Sequence, residues 1–557
     1  MFTFQFDDDD GNNHKIEPVR AVAIEALSEC YTVSVDFLVP EPPWRSGTTG
    51  FDISDTLLKP ARVTFSAGST HDGDNTKYRT FSGVVAETSF KGTIARKIIN
   101  DYGTETTINM CLCGLVLVPR LRLLDSMRRS RVFCDGNYWY GMDVIRKIIG
   151  TAPVPIPEYD TITTPTKEQK QADTDGTNYP YPCLDKVIQY AESDLNFLSR
   201  HAESSGIFYF FDNEHLEGSR FTERARFVDS SLSCPWANGT ENFTLSYLPD
   251  CTDDTPAIRS LTARMRLTTK EVRLRERNDA KPEMHLDETT AEPTPADTPF
   301  GRVSQIGMSD FVEEEGCYDP TWLRKLAAVR LQQAQCKRFV IEATSNCASL
   351  HAGHLFKLAA DNYHLSANGA CLVTAVEHRA RNSVSGVQFL PDEEGDSSSS
   401  YTNTFTAILS NNDVPFRPER RTPRPSIPGL LRAVISGPKQ ATTQKHASLD
   451  DLGYYRIVLP FDAVQRSENA DNSFPARLIT PYGGPPYGEV GVGFHFPLPV
   501  GTQVMVAFVN GDPDRPIIVG PAYDATQKSV ITSKNQYENA IQTASGIVMK
   551  FKDRKPS

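Results

Sequence analysis

The sequence lacks several features that would define whole classes of protein. No apolar run approaches the ~20 residues that a membrane-spanning helix needs, and four consecutive aspartates replace the basic and apolar regions of a secretory signal near the amino terminus. Basic residues are in deficit, because 58 Lys and Arg face 70 Asp and Glu, which gives a net charge of −12. These absences predict a soluble protein that is not exported by the general pathway and does not coat nucleic acid.

Paired cysteines and recognisable catalytic motifs are missing as well. The 11 cysteines are odd in number and form no Cys-x-x-Cys pair, so we interpret them as reduced thiols that pack in the interior. No Gly-x-Ser-x-Gly elbow, phosphate-binding Gly-Lys-Ser/Thr loop or His-Glu-x-x-His helix occurs. His351 and His354 have His-x-x-His spacing, but no third ligand lies at a recognisable spacing. We therefore expect no enzyme activity, no metal and no cofactor.

Short strands separated by turn residues dominate what is present. The 557 residues, a length typical of three or four domains, include 38 Pro and 35 Gly, which favours many strands over long helices. Apolar and polar residues alternate over residues 1–115, and this pattern predicts a β-barrel or sandwich. Residues 339–343, 355–358 and 371–376 predict further strands. Five strand-like segments between residues 430 and 519 predict a small Greek-key barrel of the OB type.

Two segments have the apolar spacing of helices. Residues 184–204 carry one apolar stripe and are followed by Gly206 at a position that suits a helix end, and residues 321–336 form the second candidate. Residues 275–299 hold few apolar groups and are predicted to be an exposed excursion. Five prolines and four arginines in residues 414–429 predict a semi-rigid connector and a domain boundary.

One strand-like segment is apolar without interruption. Residues 504–509 read Val, Met, Val, Ala, Phe, Val, whereas a barrel strand with one face in water should alternate. We therefore expect both faces of this strand to be covered. Packing against another part of the same chain and an oligomer interface are the two explanations, and the sequence leaves both open.

Four segments carry a resemblance to a known family. They are residues 78–85, 118–145, 189–210 and 501–520. In the third, which is the most specific, Gln189, Tyr190, Glu192, Ser193, Asp194, Phe197 and Gly206 match a Gln-Tyr-x-Glu-Ser-Asp-x-x-Phe helix and the start of the strand after it. The fourth contains a Gly-Asp-Pro-Asp-x-Pro hairpin at 511–516. The sequence thereby resembles the valine-glycine repeat protein G (VgrG) family, the spikes of type VI secretion systems, which are related to the hub and spike of contractile-phage tails.

The resemblance implies a mainly β fold with six parts. These are a first hub-type β-barrel at 1–115, an α/β insert with the Gln-Tyr-x-Glu-Ser-Asp helix at 116–215, a second hub-type β-barrel at 216–400, a Pro/Arg-rich connector at 401–429, an OB-fold domain at 430–524 and, at 525–557, the start of a transition into a β-helical needle that is truncated. About 34 residues follow Tyr523, which is too few for the lysozyme-like insert of some phage spikes.

The resemblance also implies a mechanical function. Three chains with two barrels each give 3 × 2 = 6 similar units, which match a hexameric tail-tube protein of the Hcp type. The homotrimer would cap the tube, contact baseplate components, and puncture a target envelope when the sheath contracts. A PAAR-type tip protein and delivered effectors are further implied partners, nucleic acid is not, and the target membrane is met only by puncture. The chain would assemble in the cytoplasm and leave through the apparatus. The alternative is a hub of a phage or phage-derived contractile injection system.

The candidate trimer-interface residues come from the OB region. They are Val504, Val506 and Phe508 of the apolar strand, and Gly511, Asp512, Pro513, Asp514 and Pro516 of the hairpin. Charges three or four residues apart on the predicted 184–204 helix favour ion pairs or inter-domain hydrogen bonds, with a solvated face as the alternative. We expect this helix to dock the insert onto a barrel. Unchanged folding and trimer yield after Tyr190→Ala and Asp194→Ala would contradict that expectation.

Overall fold

The computed structural model divides into two compact units. It describes residues 2–6, 17–40, 53–66, 78–99, 105–134, 138–139, 142–151, 158–162, 183–184, 186–213, 223–250, 255–279, 281–291, 307–313, 315–359, 370–383, 400–410, 415–437, 447–465, 473–487 and 490–552. The first unit, here the sheet unit, comprises Met1–Ser126, Val144–Pro182 and Leu198–Arg421. The second, the barrel unit, comprises Met127–Asp143, Cys183–Phe197 and Thr422–Ser557. No helix among these described residues is long and apolar enough to span a membrane.

Strands make up most of both units, and this confirms the mainly β prediction. Up to residue 133 they are β1 (Phe2–Phe6), β2 (Glu17–Ala26), β3 (Thr32–Pro40), β4 (Pro60–Ser66), β5 (Tyr78–Ile99), β6 (Glu105–Val118) and β7 (Arg128–Phe133). The middle of the chain contributes β8 (Tyr138–Trp139), β9 (Glu158–Ile162), β10 (Cys183–Leu184), β11 (Val187–Ser193), β12 (Phe208–Phe211), β13 (Arg224–Val228) and β14 (Thr244–Ser246). The α-helices within the described ranges are α1 (Met142–Gly150), α2 (Asp194–Ser204) and α3 (Pro320–Gln335).

The remaining strands follow in chain order. They are β15 (Ile258–Met265), β16 (Glu271–Glu276), β17 (Leu286–Ala291), β18 (Met308–Val312), β19 (Phe339–Ser345), β20 (Leu355–Ala359), β21 (Ala370–Arg381), β22 (Ser400–Ser410), β23 (Leu431–Ile435), β24 (Tyr455–Val458), β25 (Phe474–Leu478), β26 (Gly483–Tyr487), β27 (Val490–Gly493), β28 (Gln503–Phe508), β29 (Pro516–Pro521), β30 (Glu538–Gln542) and β31 (Val548–Lys552).

The sheet unit is built on a 12-stranded sheet. Its strand order is β1-β4-β5-β6-β3-β2-β21-β22-β19-β15, with β20 paired to β21 and β14 paired to β20. The first six strands precede residue 119, and the rest follow residue 243, so antiparallel pairing of β2 with β21 joins two parts of the chain that are far apart in sequence. Alternate residues point inward, as in β4, where Ala61, Val63 and Phe65 are fully buried.

Helix α3 confirms the second predicted helix and also covers a small sheet. Asp319 caps its amino terminus by accepting the N–H groups of Thr321 and Trp322, and Pro320 is its first residue. Its buried side chains pack with Val272, Leu274 and Leu286 of the sheet β17-β16-β18.

The prediction of an exposed excursion over residues 275–299 is confirmed for most side chains described there, since only Glu276 and Leu286 are buried, but the segment contains a strand. Residues 286–291 form strand β17, whose few apolar residues suffice because only one face is buried. Residues 292–299 lie outside the described part of the chain.

The predicted helix over residues 184–204 is half wrong. Residues 187–193 form strand β11, which pairs antiparallel with β7, and only Asp194–Ser204 is helical. A β-bulge interrupts the register between Gln189 and Glu192, and Ala191 adopts a φ of +48° there. The apolar spacing suited a helix, but pairing with a strand more than fifty residues earlier decides the conformation.

The barrel unit contains the predicted five-stranded barrel. Strands β23-β24-β25-β29-β28 close on themselves, which agrees with the OB-type prediction. Its core includes Ile435, Tyr455, Ile457, Val504 and Ile518, all at most 1% exposed. The hairpins β26–β27 and β30–β31 are separate two-stranded sheets.

Candidate functional site

The apolar strand proposed as an interface alternates between two environments. Val504 and Val506 are fully buried and Phe508 is 7% exposed, and all three belong to the barrel core. Their side chains therefore stabilise the barrel itself, which corrects their assignment to an interface between chains. Met505 and Ala507 are only half-buried and lie on the other face. The expectation that this strand is covered on both faces is therefore fulfilled only in part within the chain.

The Gly-Asp-Pro-Asp-x-Pro hairpin is a turn held by its own aspartates. Asn510 and Gly511 have φ values of +55° and +75°, which suit asparagine and glycine. The Asp512 carboxylate accepts the N–H of Asp514 at 3.0 Å and pairs with Arg424 at 3.1 Å. The Gly511 carbonyl accepts the N–H of Ile427 at 2.8 Å. These bonds fix the reversal between β28 and β29 and show no reactive arrangement.

Two of the predicted motifs meet inside the barrel unit. The backbone N–H of Ile188, on β11, donates to Asp514 Oδ1 at 2.7 Å. The N–H of Val132, on the partner strand β7, donates to Asp462 Oδ1 at 3.2 Å. The side chains of Ile188 and Val132 also join the barrel core. The segment thus docks onto the barrel through a strand, not through the helix that the sequence predicted.

A buried charged cluster fixes the turn from β11 into α2. Arg131 Nε donates to Gln189 Oε1 at 2.6 Å, and Arg131 Nη2 pairs with Asp194 Oδ1 at 2.9 Å. Gln189 Nε2 donates to the same Asp194 oxygen at 2.9 Å, and Arg129 Nε lies 3.6 Å from Asp194 Oδ2. Burial lowers the pKa of Arg131, and Asp194 opposes that effect. Because its charges are paired with one another, this cluster is suited to stabilising the turn from β11 into α2.

The other residues of this motif also serve packing and capping. Ser193 Oγ accepts the N–H of Asn196 at 3.1 Å, as an N-cap residue does. The Tyr190 ring lies 5.7 Å from that of Phe461, and the Phe197 ring stacks on Phe133 at 5.7 Å. Glu192 lies opposite Arg129 in the strand register.

Gly206 ends helix α2 as the sequence predicts. It has a φ of +72°, and the N–H of Ile207 reaches back to the carbonyl of Ala202 at 2.8 Å, which completes a Schellman motif. A Cβ at this position would lie 2.7 Å from Val329 Cγ1. A glycine is therefore required both by the backbone angle and by the close packing.

Sequence reasoning missed a buried polar cluster at the junction of the two halves of the large sheet. Arg79 on β5 pairs with Glu25 on β2, and His378 Nε2 on β21 lies 3.0 Å from Glu25 Oε1. His378 Nδ1 lies 2.8 Å from the Tyr401 hydroxyl on β22. A titratable residue inside each apolar strand could have indicated this cluster in the sequence. Glu25, Arg79 and His378 are such residues, and each is at most 4% exposed.

Two opposing effects set the protonation of this cluster. Burial alone would raise the pKa of Glu25, but Arg79 and His378 outweigh it and hold that pKa below its usual value. Burial lowers the pKa of His378, although Glu25 opposes this. The stable form therefore has a charged Glu25–Arg79 pair and a neutral imidazole.

The histidine pair shows no metal-binding arrangement. The rings of His351 and His354 stack with centroids 3.4 Å apart, and burial lowers the pKa of His354 to about 4. Within the described residues no group of three or more His, Cys, Asp or Glu could hold a metal ion.

The fold and these sites together define a class of protein. The described residues combine a large sheet unit with a closed five-stranded barrel, and their sequence motifs are used for packing and turns. A sequence model of the phage tail baseplate hub (GPD) family matches residues 24–384, which is more than half of the chain. The chain belongs to the phage tail baseplate hub family. A second model, the type VI secretion system/phage-baseplate injector OB domain, matches residues 447–523.

Curated relatives include spike proteins of type VI secretion systems. The chain is 27% identical over 340 residues to the actin cross-linking toxin VgrG1 of Vibrio cholerae, an alignment that covers 61% of this chain and 28% of the relative. It is 25% identical over 355 residues to the type VI secretion system spike protein VgrG5 of Pseudomonas aeruginosa, covering 63% of this chain and 41% of that protein. The chain thus spans less than half the length of both relatives.

Solved structures share the fold. The E. coli c3393 protein is described as a type VI secretion component with structural similarity to the T4 bacteriophage tail proteins gp27 and gp5. It matches with a TM-score of 0.56 at 17% identity, over 94% of this chain and 100% of its own. A chain of the PdpA-VgrG complex matches with a TM-score of 0.57 at 10% identity, over 99% of this chain and 92% of its own. The fold is therefore gp27/gp5-like.

Proposed function

We propose that the chain is a subunit of the trimeric hub and spike of a type VI secretion system. The observation that carries this proposal is the order of two matches in one chain, a baseplate hub over residues 24–384 followed by an injector OB domain over residues 447–523. In this function the trimer caps the tail tube and is pushed through a target envelope when the sheath contracts, so that effectors follow.

The work of such a subunit is mechanical. The polar side chains of the sequence motifs form structural contacts with one another, as Arg131, Gln189 and Asp194 do. The toxin activity in the name of one relative belongs to that protein, of which the alignment covers only 28%. We propose that this stretch of chain itself catalyses nothing.

The proposed partners follow from the assembly. Three copies with two hub-type barrels each give six units for a hexameric tail-tube protein, and baseplate components surround them. A PAAR-type tip protein and effectors are the proposed partners beyond the OB domain. The subunit assembles in the cytoplasm and leaves through the apparatus. The division at residues 115, 215, 400, 429 and 524 is part of the same proposal.

The hairpin β30–β31 supports association between copies. Ile541, Ile547, Met549 and Phe551 are 46%, 70%, 55% and 61% exposed, and an apolar strand left open is stabilised by burial against further chains. In the proposed trimer this hairpin lies beside those of the other two copies, where residues 525–557 would begin a needle.

A phage or phage-derived injection hub is the second candidate, favoured by the description of the family that matches residues 24–384. Both candidates require the same trimer, and the neighbouring genes separate them. Genes for a sheath ATPase and membrane complex favour secretion, whereas capsid and terminase genes favour a phage.

Light scattering and a secretion assay test the proposal. We expect the purified chain to have the mass of three copies. Deletion of its gene should abolish release of the tail-tube protein into the medium, and the wild-type gene should restore it. A strictly monomeric chain, together with undiminished release in the deletion strain, would overturn the proposal.

A further inference from the structure

A separate lobe lies between two neighbouring strands of the large sheet. Strands β2 and β3 are antiparallel neighbours and are joined by the short turn of residues 27–31. Strands β15 and β19 are antiparallel neighbours as well, but residues 266–338 lie between them and carry β16, β17, β18 and α3. The N–H of Arg266 donates to the Arg338 carbonyl at 2.9 Å, so the two ends of this segment meet at the sheet. We call residues 266–338 the inserted lobe.

The inserted lobe has a hydrophobic core of its own. Val272, Leu274 and Leu286 of its sheet pack with Leu323 and Ala327 of α3, and this cluster is separate from the cores of the large sheet. The antiparallel pair β15–β19 needs only a short turn. The role of the lobe must therefore lie in what it contacts outside that strand pair.

The last turn of α3 contacts the first part of the connector. We call residues 415–421 the strap. Gln332 Oε1 accepts a hydrogen bond from Arg417 Nε of the strap at 2.9 Å. The next residue of the helix, Gln333, donates from Nε2 to the Pro418 carbonyl at 2.8 Å. The lobe thus binds both a side chain and the backbone of the strap.

A buried ion pair of the lobe reaches the strap by two routes. Arg330 Nε and Nη2 donate to the two Glu315 oxygens at 2.8 and 2.7 Å, and both side chains are 2% exposed. Glu315 Oε1 also accepts Arg420 Nη1 of the strap at 3.0 Å. Arg330 Nη1 donates to Gln333 Oε1 at 2.9 Å, and Gln333 in turn binds the Pro418 carbonyl. Because desolvation offsets much of the attraction in a buried ion pair, we interpret this pair by the geometry that it fixes.

The strap is an extended segment outside the strand ladders. The N–H of Phe416 donates to Ser231 Oγ at 3.0 Å, and the N–H of Arg421 donates to Glu203 Oε2 at 2.9 Å. The buried Phe416 ring lies 5.0 Å from that of Phe208. Side chains therefore hold these backbone groups, and the strap can open locally while the large sheet stays paired.

We propose that the inserted lobe is an intramolecular docking site for residues 415–421, which fixes the connector to the sheet unit as far as Arg421. The ligand is an extended segment that contains proline and arginine and belongs to the same chain. Proline already favours the extended backbone, so little conformational entropy is lost on docking. The proposal does not depend on the spike function, since the lobe, the strap, Ser231 and Glu203 all belong to the sheet unit.

Hydrogen–deuterium exchange of the full chain tests the docking. Glu315→Gln keeps the size of the side chain but removes the charge that binds Arg420, so the strap amides should exchange at least about tenfold faster. The matched control is Glu29→Gln. Glu29 also pairs with a strap arginine, Arg421, at 2.8 Å, but it is 55% exposed, and exposed pairs contribute little. Its strap should exchange as in the wild type.

A second pair of variants leaves the buried ion pair of the lobe intact. Arg420→Gln removes only the strap's side of the contact with Glu315, and Arg420 is 33% exposed. We expect the strap amides to exchange at least about threefold faster, while peptides from α3 keep their wild-type exchange. Arg421→Gln changes the neighbouring arginine, whose side chain is 59% exposed, and should leave the strap protected.

Faster strap exchange in Glu315→Gln and Arg420→Gln, with wild-type exchange in the two controls, supports the docking site. Unchanged strap exchange in both test variants would overturn it, because Ser231 and Glu203 would then suffice to hold the strap. Equal acceleration by Arg420→Gln and Arg421→Gln would also overturn it, since the contact with Glu315 would have no special role. If Glu315→Gln loosens α3 as well, the comparison of the two arginine variants decides.

Discussion

Buried charges in this protein determine local geometry more than they add stability. Arg131 and Asp194 are at most 4% exposed, and removing both ions from water offsets much of their attraction. Gln189 satisfies further bonds of the same pair. Because Gln189 and Asp194 lie on either side of the bulge in β11 and both bind Arg131 on β7, their interaction selects strand before Asp194 and helix after it.

Removal of one partner should therefore be costly. Asp194→Ala leaves Arg131 buried without its carboxylate, and we expect the free energy of unfolding of the barrel unit to fall by about 3–5 kcal/mol. Urea unfolding followed by circular dichroism measures the loss. Lys552→Ala is the control, because this lysine is 74% exposed in its ion pair with Glu538 and its removal should have no measurable effect. Equal stability of the two variants would refute the role given to the buried cluster.

Single elements were predictable from the sequence when their determinants are local. Helix α3 carries its own cap at Asp319 and a proline at its first position, and the barrel strands are short apolar segments separated by turn residues. Strand β11 was mistaken for helix because its apolar spacing fits both structures, and the deciding groups, Arg131 and Asp514, lie far away in sequence. The buried cluster of Glu25 and His378 could not be predicted from the sequence either, because these two residues are separated by more than 350 residues.

The hairpin between β28 and β29 offers a test at the level of an element. Gly511 has a φ of +75°, and a Cβ there would overlap with Ser426 Oγ. Gly511→Ala should lower the free energy of unfolding by at least about 1–3 kcal/mol, the usual cost of such backbone strain, measured by urea unfolding of the barrel unit. Gly520→Ala is the matched control, because its Cβ would meet nothing within 4 Å. A tolerated Gly511→Ala would show that the turn can relax.

At the scale of the whole molecule, the large sheet repeats one pairing order, β2-β3-β6-β5-β4 and then β15-β19-β22-β21-β20, and this repeat could not be found from the sequence alone. Equivalent positions carry unrelated residues: when the register shifts at Val85/Glu87 and Val373/Ala375 are superposed, Phe90 corresponds to His378. In the proposed trimer, these repeats would supply six similar units.

Strongly shifted buried acids and histidines among the described residues are concentrated in the sheet unit. Burial raises the pKa of Glu223 to about 8, although its Oε1 accepts the N–H of Arg120 at 2.7 Å. Burial lowers the pKa of His378, and that of His354 to about 4. The pKa of Glu25 is also held below its usual value by Arg79 and His378, against the effect of burial. The pH dependence of stability should therefore belong to this unit.

The sign of each contribution follows from linkage. Folding raises the pKa of Glu223, so this group makes a contribution to the free energy of unfolding that depends on pH. The contribution is fully present below the ordinary pKa of 4.5 and is lost as pH rises through about 8. The lowered pKa values of the two histidines act in the opposite sense, because their contribution is present above pH 6.5 and is lost as pH falls toward their folded values. The sheet unit should thus be most stable near pH 6.5.

Glu223→Gln should remove the fall in the unfolding free energy of the sheet unit above pH 6.5. Between pH 6.5 and 8 the wild type should lose about 1.4 kcal/mol of unfolding free energy per pH unit, whereas the variant, neutral at every pH, should stay flat. Scanning calorimetry from pH 5.5 to 8.5 measures both, with the sheet-unit transition identified as the one that Gly511→Ala leaves in place. Glu241→Gln, an exposed substitution, should keep the wild-type slope. Parallel wild-type and Glu223→Gln profiles above pH 6.5 would mean that Glu223 is already ionised in the folded protein and that its burial is compensated by other groups.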